Sequence, residues 1–118
     1  MQCSELSPGR LTNLTVRCTL TVLNGVPGDE VVQVYHSAGA DVRKNIKDHP
    51  VPQRSLVDFS RVRCETGTAA ASTNVEFTLS SDMARLVDAT GEKRLYPGIH
   101  NFIFSRGHGT EFEFPVKF

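Results

Sequence analysis

The chain has 118 residues, of which 39% are hydrophobic and 22% are charged, and these proportions are typical of one ordinary globular domain. Thirteen basic residues balance thirteen acidic residues, so the formal net charge is zero with neutral histidines. This balance excludes recognition of nucleic acid or anionic lipid by bulk charge. No apolar stretch approaches the roughly 20 residues of a membrane span. We therefore predict neither a nucleic-acid partner nor a membrane partner.

The three cysteines, Cys3, Cys18 and Cys64, are too few and too irregularly spaced to predict a disulfide scaffold or a zinc site. Their odd number leaves at least one thiol free within the chain. Cys18 and Cys64 stand on alternating stretches beside apolar neighbours, which favours small, buried free thiols. A bridge between these two stays open, because pairing needs Cα atoms within roughly 7 Å.

The dominant signal along the chain is a period of two. Apolar residues alternate with polar residues over 14–22, the pattern of a half-buried strand. The glycines, proline and asparagine of 24–29 predict a turn. The run 30–35 follows with valines on both faces, which favours a strand inside a sheet.

The segment 36–54 predicts a long loop, because it has little apolar content and contains two prolines. Loops of this length often provide a binding or packing surface, although some are only solvated. Four basic residues in it are candidates to contact a neighbouring domain or a substrate: Arg43, Lys44, Lys47 and Arg54. A loop that is simply solvated is the alternative.

Further strands follow this loop. The phase slip between Leu56 and Phe59 predicts a strand with a bulge or bend, and 74–79 alternates again. Ser and Asp residues in 80–86 predict a short helical turn, and 99–118 predicts a closing hairpin. In the last strand of that hairpin, the residues that should face a core are Phe112, Phe114, Val116 and Phe118.

The fold class that follows is all-β. About seven short strands separated by Gly, Pro and Asn turns, without a long helix, predict an immunoglobulin-like (fibronectin type III-like) antiparallel β-sandwich. We assign this domain to residues 11–118. Residues 1–10 contain a Ser-Pro-Gly sequence and are expected to be a leader or a remnant linker.

Catalytic and metal-binding patterns are not found in the sequence. The four histidines occur singly, without metal-ligand spacing, so we predict no metal and no cofactor. His36 and His108 are expected on the solvated surface, whereas His100 is expected to be partly buried with a structural hydrogen bond. No carboxylate stands in an apolar setting that would raise its pKa. We therefore predict no catalytic residue in this chain.

A binding module remains possible on the residues alone. Flat aromatic rings suit sugar binding, but the chain has no Trp and only two Tyr, which weakens that interpretation. Asn13 begins an Asn-Leu-Thr sequon, a possible N-glycosylation site if the chain is secreted.

The order of the segments carries a resemblance to a known family. The chain is similar to the C-terminal fibronectin type III-like domain of glycoside hydrolase family 3 enzymes, the β-glucosidases and β-xylosidases. Five segments carry it, in the expected order: GDEVVQVY at 28–35, PQRSLVDFSRV at 52–62, VEFTL at 75–79, LVD at 86–88 with Gly91, and YPGIH at 96–100. The last of these leans toward the β-xylosidase or arabinofuranosidase branch. The chain departs from the family pattern at Asp58, where a glycine is usual, and at 65–67, where a Pro-Gly-Glu turn is usual.

The resemblance implies a noncatalytic accessory domain. In that family both catalytic carboxylates lie on other domains, and neither motif occurs here. The implied partners are the catalytic domains of the parent enzyme, which this module would pack on and stabilise. Polysaccharide contact stays possible, and the alternative is an independent carbohydrate- or protein-binding module. The compartment is open, with a secreted or vacuolar/lysosomal-type parent favoured.

Overall fold

The computed structural model describes residues 1–10, 13–22, 28–64, 71–107 and 109–118. Within these ranges the chain forms nine strands, one short helix and one 3₁₀ turn. They are β1 (Gln2–Arg10), β2 (Asn13–Val22), β3 (Gly28–Ala38), α1 (Ala40–Asn45), β4 (Ser55–Cys64), β5 (Ala71–Ser80), the 3₁₀ turn (Ser81–Ala84), β6 (Leu86–Val87), β7 (Lys93–Arg94), β8 (Ile99–Ser105) and β9 (Phe112–Lys117).

Seven of these strands form two antiparallel sheets. The strand order is β1-β2-β5 in one sheet and β4-β3-β8-β9 in the other, and β6 pairs with β7 in a separate short ribbon. The prediction of an all-β antiparallel sandwich is confirmed. So is the internal position of β3, whose valines on both faces indicated that neighbours cover it.

The core lies between the two sheets and is built by alternation. Residues two apart on one strand point to one face, and those that point inward are almost completely buried. They include Val16 and Leu20 of β2, Val32 and Val34 of β3, Val75, Phe77 and Leu79 of β5, and Phe102 and Phe104 of β8. The predicted inward row of β9 also packs against this core.

The first ten residues differ from the predicted leader. Gln2–Arg10 form β1, which pairs with β2 and so belongs to the three-stranded sheet. The register shifts between Glu5 and Ser7 and between Ser7 and Arg10, so irregular pairing accommodates the Ser-Pro-Gly sequence on an edge strand.

This pairing also changes the state of the cysteines. Cys3 lies opposite Cys18 in the register, with Cα atoms 4.0 Å apart, and the two form a disulfide. The interpretation of Cys18 as a free thiol is therefore wrong, and a bridge between Cys18 and Cys64 is excluded. The sequence did not indicate the pair, because it gave no reason to place residues 1–10 beside β2.

The predicted loop at 36–54 contains regular structure. Its first residues complete β3, and α1 follows over Ala40–Asn45. The helix is held by β8: the Gly39 amide donates to the Ile99 carbonyl (2.8 Å), and the Ile99 amide donates to the Asp41 carboxylate (3.0 Å). A helix of six residues is not stable alone, so these tertiary contacts explain why local sequence did not predict it.

Other predicted features are confirmed. The register of β4 on β3 shifts between Val34 and Tyr35, which is the expected bulge, and Ser81–Ala84 form the expected short helical turn. Most of the predicted turn at 24–29, the residues 65–67 that depart from the family pattern, and His108 lie outside the described residues. The side chain of Asn13, the possible glycosylation site, lies outside them as well.

Candidate functional site

Arg43, one of the four loop candidates, is used inside the domain. Its Nε–H donates to the Ala38 carbonyl (2.8 Å), and its Nη groups donate to the Ser37 hydroxyl and to the carbonyls of Val51, Pro52 and Gln53, at 2.7 to 3.3 Å. The planar fork of a guanidinium suits several acceptors at once. Arg43 thus links residues 51–53, the last part of the loop before β4, to the end of β3 by hydrogen bonds.

Arg54 lies on the outer face of the four-stranded sheet. Its guanidinium donates to the Glu111 carboxylate (Nη1 to Oε2, 3.0 Å) and stands 5.4 Å from the centroid of the Tyr35 ring. The hydrogen bond with Glu111 raises the pKa of Arg54 above its ordinary value. Arg54 therefore covers one face of Tyr35, so that face is not a free aromatic platform.

The structure brings together only two of the four basic candidates. Arg43 and Arg54 line a shallow depression that also includes Ser37, Gln53 and Ile103. Lys44 and Lys47 are exposed and do not line it. Neither lysine has an ion-pair partner among the described residues.

Two histidines meet in the interior. His36 Nε2 lies 2.8 Å from His100 Nδ1, and His100 Nε2 lies 2.7 Å from the Tyr96 carbonyl. A carbonyl only accepts, so the Nε2 of His100 carries a proton and donates it to the Tyr96 carbonyl, while the tautomers set which ring donates between His36 Nε2 and His100 Nδ1. The arrangement is a chain of two imidazoles that ends on a backbone carbonyl.

The burial of this pair confirms one prediction and corrects another. His100 is 0% exposed and makes the structural hydrogen bond expected of it. His36 is only 3% exposed, so its predicted place on the solvated surface is wrong. It follows Val32 and Val34 on the inward face of β3, where its ring contacts His100 and Phe102. Burial, followed by His100 and Arg43, lowers the pKa of His36 to about 4.

Asp41 and Asp88 have lowered pKa values, which does not suit a general acid. The amide of Ile99 lowers the pKa of Asp41, and the hydroxyl of Thr90 lowers that of Asp88. A general acid needs the opposite shift. In the described part of the chain, no three His, Cys, Asp or Glu side chains converge to hold a metal ion. These two carboxylates therefore organise local structure: Asp41 anchors α1, and Asp88 binds the turn at Thr90 and Glu92.

The sequence did not predict that two large apolar side chains of β4 would be exposed. Leu56 and Phe59 are 52% and 63% exposed. Leu56 lies opposite Tyr35 and Phe59 opposite Gln33, and directly opposed residues share a face of the sheet. Residues three apart on a regular strand point to opposite faces, so it is the bulge that turns both side chains outward. The phase slip was visible in the sequence, but the face that it exposes was not.

The fold is similar to one part of several much larger proteins. The chain superposes on the structure of a β-glucosidase from Listeria innocua in complex with glucose, with a TM-score of 0.73 and 22% identity, over 98% of this chain and 15% of that one. A β-glucosidase from Streptomyces venezuelae gives a TM-score of 0.71 at 18% identity, over 99% and 14%. One from Erythrobacter marinus gives 0.69 at 22%, over 98% and 14%.

These comparisons show the fold of the chain and how its length compares with the length of the proteins that it matches. The chain spans about 15% of the length of the first of these proteins, so its fold corresponds to a small portion of a large enzyme. No protein-family model and no curated protein sequence matches the chain. In the described ranges, no helix has the length and apolar character needed to cross a membrane.

Proposed function

We propose that this chain is a noncatalytic accessory domain of a larger glycoside hydrolase, of the fibronectin type III-like kind found at the C-terminal end of family 3 β-glucosidases and β-xylosidases. The observation that carries the proposal is the coverage: nearly all of this chain matches about 15% of a β-glucosidase chain at a TM-score of 0.73. The order of the five sequence segments supports the same family.

The role that we propose is to pack on the catalytic domains and stabilise them. Support comes from how the polar groups of the chain are used. Arg43 is committed to backbone carbonyls, Arg54 to Glu111, and the His36–His100 pair to the Tyr96 carbonyl. Of the four loop candidates, Lys44 and Lys47 are the two that remain available, and we assign any contact of the loop with a substrate or a neighbouring domain to them.

Activity measurements test this proposal. The 118-residue chain, incubated alone with aryl β-glucosides and aryl β-xylosides, should release no product. The intact enzyme encoded by the gene that carries the chain should hydrolyse one of these substrates. Turnover by the repurified chain alone would contradict the accessory role, and so would a gene that encodes no glycosidase.

The alternative of an independent carbohydrate-binding module predicts a different result. Calorimetric titration of the chain with xylan or cellulose fragments should give no heat of binding if its function is domain packing. The stacking of Arg54 on Tyr35 closes one face of that ring to a sugar, so the exposed Phe59 ring is the aromatic surface that this titration tests.

A further inference from the structure

The outer face of the four-stranded sheet has a covered part and an uncovered part. Over the covered part, Arg54 lies on the Tyr35 ring, and Ile103 is only 7% exposed where it lines the depression beside Arg43. The uncovered part lies along β4, where the bulge directs Leu56 and Phe59 into solvent. An exposed aromatic ring beside an exposed leucine is the composition of a contact surface.

Charges define the rim of this surface. Arg61 lies opposite Val31 in the register, on the outer face two residues beyond Phe59. It is exposed and has no ion-pair partner among the described residues. Arg54, two residues before Leu56, is already paired with Glu111. A complementary surface would therefore be apolar opposite Leu56 and Phe59 and would place a carboxylate opposite Arg61.

The edge of β4 indicates how a partner would bind. β4 is an edge strand, and an open edge could accept an added strand. The Phe59 amide, however, already donates to the Asp58 carboxylate (2.8 Å), so strand addition would have to break this bond. This bond disfavours an extended peptide on the edge and favours a partner that contacts the side chains of the outer face.

We propose that Leu56, Phe59 and Arg61 form the surface through which this domain docks on the catalytic part of the same enzyme. This inference rests on the proposed function and names the face that performs it. The fold neighbours leave ample protein for that contact, since about 85% of the Listeria innocua chain lies outside the matched portion, given that 15% of it is covered. An intramolecular partner is always present, so it would keep an exposed phenylalanine covered.

Hydrogen exchange and unfolding test the assignment. The amide exchange of 55–64 is compared between the 118-residue chain alone and the intact enzyme, and a docked β4 should exchange at least about tenfold more slowly in the intact enzyme. Phe59→Ser and Leu56→Ser are then introduced into both proteins. Ile99→Ser is the matched control, because Ile99 is also a large exposed apolar residue, 42% exposed, but on β8. Serine is used because an aspartate at position 99 would place a second carboxylate beside Asp41.

The inference predicts that Phe59→Ser and Leu56→Ser lower the Tm of the intact enzyme by about 3 °C or more and that Ile99→Ser does not. The Tm of the isolated chain should respond little to any of the three. Equal exchange of 55–64 in both proteins would overturn the docking face and leave the accessory function standing. The same conclusion follows if Ile99→Ser and Phe59→Ser lower the Tm of the intact enzyme equally. A gene that encodes no glycosidase beyond this chain would overturn both. If the variants of the intact enzyme do not fold, the exchange comparison of the unsubstituted proteins still decides.

Discussion

His36 Nε2 lies 2.8 Å from His100 Nδ1 although the two residues are 64 positions apart in the chain. β3 and β8 are neighbours in one sheet, and both imidazoles point to its inner face. Each ring fills core volume that an apolar residue would otherwise occupy. His36 has its side-chain hydrogen bond with His100, and His100 also bonds the Tyr96 carbonyl. The pair therefore makes the core sensitive to protonation.

We expect the free energy of unfolding to fall on acidification, because His36 becomes protonated. Its pKa is about 4 in the folded chain and 6.5 ordinarily, so the unfolded chain binds the proton more readily. The part of the free energy of unfolding that depends on an unprotonated His36 is fully present above pH 6.5 and is lost as the pH falls toward 4. Its size is on the order of 2–3 kcal/mol. The measurement is urea unfolding at several pH values between 4 and 8, for the unsubstituted chain and for His36→Gln. The difference between the two curves should shrink as the pH falls, and a difference independent of pH would contradict the assignment.

Phe104 should be among the most costly residues to truncate. It is fully buried, and its ring centroid is 5.5 Å from that of Phe77 in the opposite sheet and 5.5 Å from that of Phe114. Phe104→Ala would leave a cavity between the sheets and should reduce the free energy of unfolding by about 3–5 kcal/mol. Phe59→Ala is the control, since that ring is exposed, and it should cost under about 1 kcal/mol in the isolated chain. Similar losses for both variants would show that Phe104 does not join the two sheets.

Arg43 should matter for stability in a way that the adjacent Lys44 does not. Arg43→Gln removes the guanidinium that binds four carbonyls and the Ser37 hydroxyl, and we expect a loss of about 2 kcal/mol. Lys44→Gln changes an exposed cation one residue away and should stay within about 0.5 kcal/mol. Denaturant unfolding measures both, and Arg43→Lys should fall between them because an ammonium cannot form the same fork. If Arg43→Gln were as stable as Lys44→Gln, the fastening of residues 51–53 would be unimportant.

The disulfide between Cys3 and Cys18 should stabilise the β1 edge. It closes a loop with a sequence separation of 15 residues, for which chain entropy predicts about 3 kcal/mol. Peptide mapping without reduction should join Cys3 to Cys18, and a thiol assay in denaturant should count one thiol. Cys3→Ser should lower stability by a similar amount to reduction of the unsubstituted chain. A count of three thiols in the chain purified without reductant would contradict the pairing.

Much of the sandwich could be predicted from local pattern. The strands β2, β5 and β9 alternate cleanly, because one face of each is buried and the other is more open to solvent. The valines of β3 on both faces indicated an internal strand, and the slip between Leu56 and Phe59 indicated the bulge. These features depend on the order of apolar and polar residues within one segment, which the sequence contains directly.

What the sequence by itself determined is the alternation, and with it an all-β sandwich whose inward rows meet in one core. Only the tertiary structure decided the rest: the pairing of Cys3 with Cys18, the contact of His36 with His100, the fastening of the loop by Arg43, and the outward direction of Phe59. Each of these depends on which strands become neighbours and in which register. That choice is made by the packing of distant segments against one another, and no single stretch of the chain encodes it.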